Sequence, residues 1–323
     1  MFFGANEFNQ PIGEWDVSKV TAMGAMFANT KFNQDLSNWC VSNFASEPDA
    51  FSSNSSLTNE NKPVWGTCAG FAIADNEVTV TCEAADVGDS VELNGITYTK
   101  RTKDQITSEN ASSTCTSGIT DMSSLFEAIV EFPSDFSINH WDMSEVISTR
   151  FMFLGSTVFN HEIDAWNFEK LDDMYGMFQG ALSFDQPISL WNVSTVTNFG
   201  RLFMETPFNQ LINQWDVSEA KTMEQMFFGA INFNKPINNW DVSNVSRMGG
   251  MFMDAHSFNQ NINDWDVSNV YDFNEMFRRA GFNQPLNDWD ISNGSEFFMM
   301  FINNIFNQDI SNWNFEKANN ITY

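Results

Sequence analysis

The sequence predicts an α/β repeat fold, a solenoid in which each unit adds one short strand and one short helical segment. Tryptophan recurs every 24 or 25 residues within each of two runs, and the apolar pattern changes period inside every unit. A fixed period of this length is typical of stacked-repeat architectures. The repeated tryptophans are Trp15 and Trp39, then Trp141, Trp166, Trp191, Trp215, Trp240, Trp265, Trp289 and Trp313.

The first half of each unit is predicted to be a strand. In the unit around Trp240, apolar residues alternate with polar ones from Trp240 to Val242, which is typical of a strand with one buried face. Asp241, between them, is therefore expected to point outward. Stacked strands would place equivalent residues about 4.8 Å apart.

The second half of each unit is predicted to be a short helix. Val245, Met248, Met251 and Phe252 follow one another at spacings that place all four on one helical face. Ser243, directly before this run, is the expected N-cap. Because one unit cannot bury its apolar edge alone, neighbouring units must stack.

An asparagine follows the phenylalanine that begins most units. We expect these amides to form a ladder that satisfies backbone groups where the chain bends. The residues are Asn9, Asn33, Asn160, Asn209, Asn234, Asn259, Asn283 and Asn307.

The repeat pattern stops after Trp39, and this break predicts the domain organisation. Residues 1–39 are interpreted as the end of a first array and 40–68 as its closing cap. Residues 69–116 are interpreted as a linker and an opening cap. Residues 117–323 form the second array, with eight tryptophan-bearing units.

All four cysteines lie in or beside this break. Cys40 and Cys68 would close the first cap, and by elimination Cys82 would pair with Cys115. Zinc is the alternative, although no pair has C-x2-C spacing and no histidine lies near them in the sequence. Asn94–Gly95, between alternating apolar residues, predicts a two-residue β-hairpin in the opening cap.

The charge limits the possible partners. The chain has 42 acidic and 15 basic residues and a net charge of -27, which repels nucleic acids and anionic membrane surfaces. Its longest apolar run, Phe297 to Ile302, is far too short to span a bilayer. Cations or a basic partner surface are the expected counterparts.

The outward residue after each tryptophan forms the main candidate site. We weigh three interpretations of this column: Asx-type turns to the backbone, weak Ca²⁺ binding, and a recognition face for a basic or glycan partner. The residues of the calcium hypothesis are Asp216, Asp241, Asp266 and Asp290. The further residues assigned to the partner face are Asp142, Asp264 and Asp288.

The sequence does not predict an enzyme. Its three histidines form no metalloprotease or nucleophile motif, and the glycines form no nucleotide-binding loop. Apart from possible Ca²⁺, no cofactor is expected. Six N-x-S/T sequons, with the even cysteine count, indicate an exported protein. Their acceptors are Asn54, Asn110, Asn192, Asn244, Asn293 and Asn320.

The unit from Phe258 to Phe277, FNQNINDWDVSNVYDFNEMF, resembles the repeat of BspA-like leucine-rich-repeat surface proteins. The segments around Cys40 to Cys68 and Cys82 to Cys115 resemble the caps between such arrays. This resemblance covers nearly the whole chain and implies a right-handed, leucine-rich-repeat-like solenoid at the cell surface, with no catalytic residue. The chain departs from the pattern where WNFEK replaces WDVSN, after Trp166 and Trp313.

Two functions are therefore expected. The first is a non-catalytic extracellular scaffold for adhesion, binding a protein or glycan at the cell surface. The alternative is a structural subunit that binds copies of itself in an extracellular filament or sheath built from end-to-end arrays.

Overall fold

The computed structural model describes residues 1–323 with the exception of Glu14, Asp16, Ser18, Asn38, Cys68, Ala69, Thr322 and Tyr323. The chain divides into two compact units. Unit 1 comprises Met1–Gln105, Ser113–Ser117 and His140–Asp142. Unit 2 comprises Ile106–Ser112, Gly118–Asn139 and Met143–Tyr323. The division of the chain into arrays and caps stays a prediction.

The regular elements are few and short. Strand β1 (Ala72–Ile73) pairs antiparallel with β2 (Val80–Thr81). A second sheet contains β3 (Ser90–Leu93), β4 (Ile96–Lys100) and β5 (Thr114–Cys115), in the order β3-β4-β5. Short 3-10 helices span Asn59–Asn61, Lys103–Gln105 and Ala111–Ser113. The described residues contain no α-helix.

The predicted hairpin is confirmed. Strands β3 and β4 are antiparallel, and Leu93 faces Ile96 directly before and after the turn. Asn94 and Gly95 both have positive φ, 50° and 82°, as a two-residue turn of this hand requires. Buried Val91 and Leu93 on β3 and Tyr98 on β4 place their side chains in the same core.

The predicted bond between Cys82 and Cys115 is also confirmed, and both residues are buried. Cys115 ends β5, which runs parallel to β4 with Lys100 opposite Cys115. The disulfide therefore joins the hairpin sheet to the residue that directly follows β2. The predicted partner of Cys40 is Cys68, which lies outside the described residues.

Unit 2 is a stack of turn-rich repeats. Each repeat forms one isolated parallel bridge with the next, and the bridging residues follow one another at intervals of one repeat. The bridging residues are Asp121, Ser148, Asp173, Asn198, Thr222, Arg247, Asp272, Glu296 and Asn320.

The backbone after each bridge alternates between two kinds of hydrogen bond. The N–H groups of Gln225 and Phe227 donate to Gly249 and Met251 of the next repeat, both at 2.9 Å. Between them, the backbone N–H of Met226 closes a turn within the repeat by donating to the Met223 carbonyl at 3.1 Å. Backbone donors are thus satisfied without a helix or a continuous strand.

The predicted α/β solenoid is wrong, because the segment expected to be helical consists of consecutive turns. Each such segment contains two residues with left-handed φ, for example Gln225 at 56° and Gly229 at 67°, which no right-handed helix accommodates. Ser243 therefore caps no helix. Trp240 to Val242 form no strand either, since their backbone pairs with no neighbouring segment in a ladder.

The predicted aromatic core is present in this different architecture. Trp240 and Trp265 lie parallel with centroids 6.3 Å apart, and Phe252 and Phe277 are 5.8 Å apart. These rings are buried. The period of the apolar residues thus predicted that they are buried, but it did not predict their backbone conformation.

In the described part of the chain, no helix has the length and apolar character that crossing a membrane requires.

Candidate binding face

The main candidate face is the acidic column, defined as Asp216, Asp241, Asp266 and Asp290 of four successive repeats. All four side chains are exposed, whereas the tryptophan before each and the valine or isoleucine after each are buried. Apolar residues on both sides thus hold every aspartate in the same outward orientation. This local geometry is what the alternating pattern predicts.

Each aspartate of the acidic column also closes a turn. Oδ1 of Asp241 accepts the backbone N–H of Ser243 at 3.0 Å, and Oδ1 of Asp290 accepts that of Ser292 at 2.9 Å. Asp216 and Asp266 bind Ser218 and Ser268 in the same way. The Asx-turn interpretation therefore accounts for the residue type at this position.

The same hydrogen bonds favour the charged form of two aspartates of the column, Asp241 and Asp290. The side-chain and backbone groups of Ser243 lower the pKa of Asp241. The backbone N–H of Ser292, followed by its hydroxyl, lowers the pKa of Asp290. Donors to a carboxylate favour its ionised form. At neutral pH Asp241 and Asp290 are thus negative charges on a fixed backbone.

The geometry adds no support for a metal site. Within the ranges that the structure describes, no three His, Cys, Asp or Glu side chains are grouped closely enough to hold an ion. Ca²⁺ usually takes six or more oxygen ligands, which four aspartates on separate turns do not provide. Calcium binding by Asp216, Asp241, Asp266 and Asp290 stays a prediction.

Asp142 was expected to extend the outward column, and this expectation is wrong. Its side chain is only 7% exposed, and one carboxylate oxygen accepts a short hydrogen bond from the Ser117 hydroxyl. The Ser117 oxygen in turn accepts the backbone N–H of Cys82 at 2.9 Å. Asp142 is therefore part of a buried polar network next to the disulfide, because the segment around residue 117 covers it.

His140 lies in the same unit as this network. Its Nε2 is 2.9 Å from the Thr114 carbonyl oxygen, and its ring centroid is 5.0 Å from that of Tyr98. Burial lowers the pKa of His140 from its usual 6.5 to about 4. The imidazole is thus neutral at neutral pH and donates through Nε2. Asp142 and His140 are structural residues without access to a substrate.

The other two acidic residues of the predicted face are exposed. Asp264 and Asp288 each precede a tryptophan. Asp288 exchanges hydrogen bonds with Asn263 of the preceding repeat: its Oδ2 accepts the Asn263 amide, and its backbone N–H donates to Asn263 Oδ1 at 3.1 Å. Asp288 thus extends the negative surface beside the column while also joining two repeats.

The sequon asparagines are reachable to different degrees. Asn54, Asn192, Asn244 and Asn293 are exposed, and Asn110 and Asn320 are half-buried. The side-chain amides of Asn244 and Asn293 donate to serine carbonyls of the preceding repeat at 2.8 and 2.6 Å. Glycosylation at all six stays a prediction.

The asparagine ladder is confirmed and is more extensive than expected. Oδ1 of Asn234 accepts the backbone N–H of Asn259 at 3.0 Å, and the Gln260 side chain donates to that oxygen at 2.8 Å. Asn209 and Asn283 continue the series at 3.1 and 2.9 Å. The F-N-Q triplet is thus explained by contacts between repeats and does not indicate a ligand site.

The sequence reasoning missed two groups of residues. The first is the tryptophan indole N–H groups, which donate across repeats, as Trp240 does to Ile212. The regular I-x-x-W spacing was the available signal. The second is the arginines of the turn segments, whose paired charges depend on neighbouring repeats and carry no motif.

The family described as a Mycoplasma protein of unknown function, DUF285, matches residues 1–70, 96–210, 191–281 and 237–323. The chain belongs to the DUF285 family. The overlapping matches agree with a repeat protein, since one family pattern recurs along the chain. No curated protein and no solved structure matches this DUF285 protein.

Proposed function

We propose that this DUF285 protein is a non-catalytic repeat protein of the cell surface or extracellular space. It binds a macromolecular partner, such as a protein or a glycan carrier, and the surface of the partner that it contacts is basic. This proposal also uses the resemblance of the repeat and cap sequences to BspA-like surface proteins. The buried Cys82–Cys115 disulfide supports an oxidising compartment.

The acidic column carries the proposal. In the repeat unit, the aromatic and aliphatic residues form the core, and the F-N-Q amides join the repeats. The aspartates of the column, in contrast, present charge to solvent on consecutive repeats. Regularly spaced charges on a rigid stack suit an extended partner of opposite charge better than a small substrate.

The test uses a variant in which Asp216, Asp241, Asp266 and Asp290 are all changed to asparagine. Asparagine preserves the turn, because native Asn192 occupies the same position and accepts the Ser194 N–H at 3.2 Å. The probe is a helical peptide with lysines along one face. We expect at least tenfold weaker binding of this peptide by the variant than by the native chain, with unchanged thermal stability.

The control changes Glu60, Glu127, Glu131 and Glu162 to glutamine. These glutamates are exposed, and the change in net charge is the same. Binding by this control should fall less than threefold. Equal losses of peptide binding in both variants would show that only the net charge matters. That result would overturn the assignment of the binding site to the acidic column.

The alternative function is that of a structural subunit that self-associates. Sedimentation and electron microscopy of the purified protein distinguish it from the binding role. Dispersed particles at high concentration support the binding role, whereas regular filaments would favour the structural one.

A further inference from the structure

The turn segments hold the arginines of unit 2. Arg150, Arg201, Arg247, Arg278 and Arg279 are the arginines between residues 117 and 323, and all lie within or beside these segments. Four pair with carboxylates, for example Arg247 with Glu224 at 2.5 Å and Arg279 with Asp254 at 2.6 Å. Arg150 pairs with Asp173, and Arg278 pairs with Glu275.

Arg201 differs from the other four. Its Nε donates to the Gln225 side-chain oxygen at 2.8 Å, and its guanidinium carbon is 5.4 Å from the centroid of the Tyr175 ring. Within the described part of the chain, no carboxylate forms an ion pair with it. A half-buried guanidinium without a counter-charge is notable in a chain of net charge -27. A planar guanidinium binds a carboxylate through two parallel hydrogen bonds.

One half-buried aromatic ring, Tyr175, lies next to Arg201, and a second, Phe151, packs against Tyr175. Phe151 and Tyr175 meet edge to face with centroids 5.3 Å apart, and the Arg150 guanidinium carbon is 4.2 Å from the Tyr175 centroid. We call Arg150, Phe151, Tyr175 and Arg201 the arginine–tyrosine edge. It occupies three successive repeats of unit 2 and is separate in sequence from the acidic column.

Glycines in the following repeats make room for these rings. A Cβ on Gly176 would lie 2.6 Å from the Phe151 ring, and one on Gly200 would lie 2.8 Å from Cδ2 of Tyr175. One edge of each ring therefore lies against a glycine of the next repeat, where a Cβ would clash with it. The edge thus combines fixed aromatic surface with the unpaired cation.

We propose that the arginine–tyrosine edge binds a carboxylate-bearing sugar residue of a glycan. The carboxylate would pair with Arg201, and C–H groups of the sugar ring would pack on the exposed parts of the half-buried Tyr175 and Phe151 rings. A single acidic sugar suits this edge better than an acidic peptide, because the overall negative charge repels ligands with several carboxylates. This inference rests on the proposed binding role but does not involve the acidic column.

The test measures binding of sodium glucuronate by ligand-observed NMR, with glucose and acetate as comparison probes. We expect glucuronate to bind at least tenfold more tightly than either, because only glucuronate has both the carboxylate and the ring. Arg201→Gln should weaken glucuronate binding at least tenfold. Arg201→Lys should weaken it as well, because lysine keeps the charge but lacks the planar fork.

The matched control is Arg279→Gln, which removes the same charge at a residue with the same left-handed φ of 54°. It should bind glucuronate like the native protein. Thermal melting shows whether each variant is folded. If Arg201→Gln does not fold, Arg201→Lys, which retains the positive charge, serves as the test variant.

Three outcomes would overturn the proposal: equal binding of glucose and glucuronate, equal loss in both glutamine variants, or tighter binding of the peptide Gly-Glu-Gly through Arg201. The variant with four aspartates replaced should bind glucuronate normally. A negative result for glucuronate binding would therefore leave the lysine-peptide result, and with it the proposed function, unaffected.

Discussion

The indole Nε1 of Trp240 donates a hydrogen bond to the carbonyl oxygen of Ile212, 28 residues earlier, at 3.0 Å. The same oxygen accepts the backbone N–H of Trp215 at 3.1 Å. One carbonyl thus closes a turn in its own repeat and fixes the ring of the next. The indole hydrogen bond recurs at Trp39, Trp166, Trp191, Trp215, Trp265, Trp289 and Trp313.

Trp240→Phe should lower the free energy of unfolding by about 2 to 4 kcal/mol. The change removes a buried hydrogen bond and leaves space where the larger ring was. Urea denaturation measures the loss. Trp15→Phe is the control, since this ring is 43% exposed, and it should cost clearly less. Equal losses would show that the indole hydrogen bond and ring burial do not stabilise the stack.

Asn234→Ala should lower the free energy of unfolding by about 1 to 2 kcal/mol, because two donors of the next repeat lose their acceptor. Asn234→Asp should be tolerated, since native Asp185 accepts the Asn209 N–H at 2.8 Å in the equivalent position. Asn232→Ala, at an exposed position, serves as the control. A loss in the aspartate variant as large as in the alanine variant would contradict the ladder's role.

His140 should make the protein less stable in acid. Its pKa is about 4 in the folded state and about 6.5 when unfolded, so below pH 6.5 the unfolded chain binds the additional proton. The stability that neutral His140 provides is complete above pH 6.5 and is lost as pH falls towards 4. The total is about 3 kcal/mol, at about 1.4 kcal/mol per pH unit.

Urea denaturation between pH 7 and pH 4 tests this expectation by comparing the native chain with His140→Gln. Glutamine keeps an N–H donor for the Thr114 carbonyl but does not titrate. The difference in stability between the two proteins should shrink or reverse towards pH 4. His256→Gln, at an exposed histidine, is the control. Parallel curves for the native chain and His140→Gln would refute the assignment.

The left-handed positions of the turn segments give a further prediction. Gly180 has φ of 69°, and a Cβ there would meet Gly155 only at an ordinary 3.6 Å. Gly180→Ala should therefore cost about 1 kcal/mol from backbone conformation alone. Ala128→Gly, at the equivalent exposed position with φ of 58°, should be neutral or stabilising by up to a similar amount. Thermal unfolding of both variants measures this contrast, and an unchanged melting temperature for Gly180→Ala would contradict it.

Asn94–Gly95 predicted its hairpin correctly because a two-residue turn depends on local chemistry. Val245, Met248, Met251 and Phe252 predicted a helix incorrectly, because a spacing of three residues also fits consecutive turns. Their burial was predicted, but the left-handed residues between them carry no strong sequence signal, since glycine alternates there with Gln225, Asp254 and Glu275.

At the candidate site, the outward direction of Asp241 followed from its buried neighbours, Trp240 and Val242. The burial of Asp142 did not, because it depends on Ser117, which is 25 residues away in the sequence. Likewise, no motif marked Arg201, since its missing counter-charge is a property of three adjacent repeats.

The sequence by itself determined the repeat length, the buried aromatic and aliphatic positions, the hairpin and the bond between Cys82 and Cys115. These features depend on local turn chemistry, on apolar periodicity and on a small number of cysteines. Only the tertiary structure decided that the repeats are stacked turns joined by single bridges. In a stack, the backbone of each repeat takes its hydrogen-bond partners from the next, so the conformation of a segment depends on neighbours about 25 residues away.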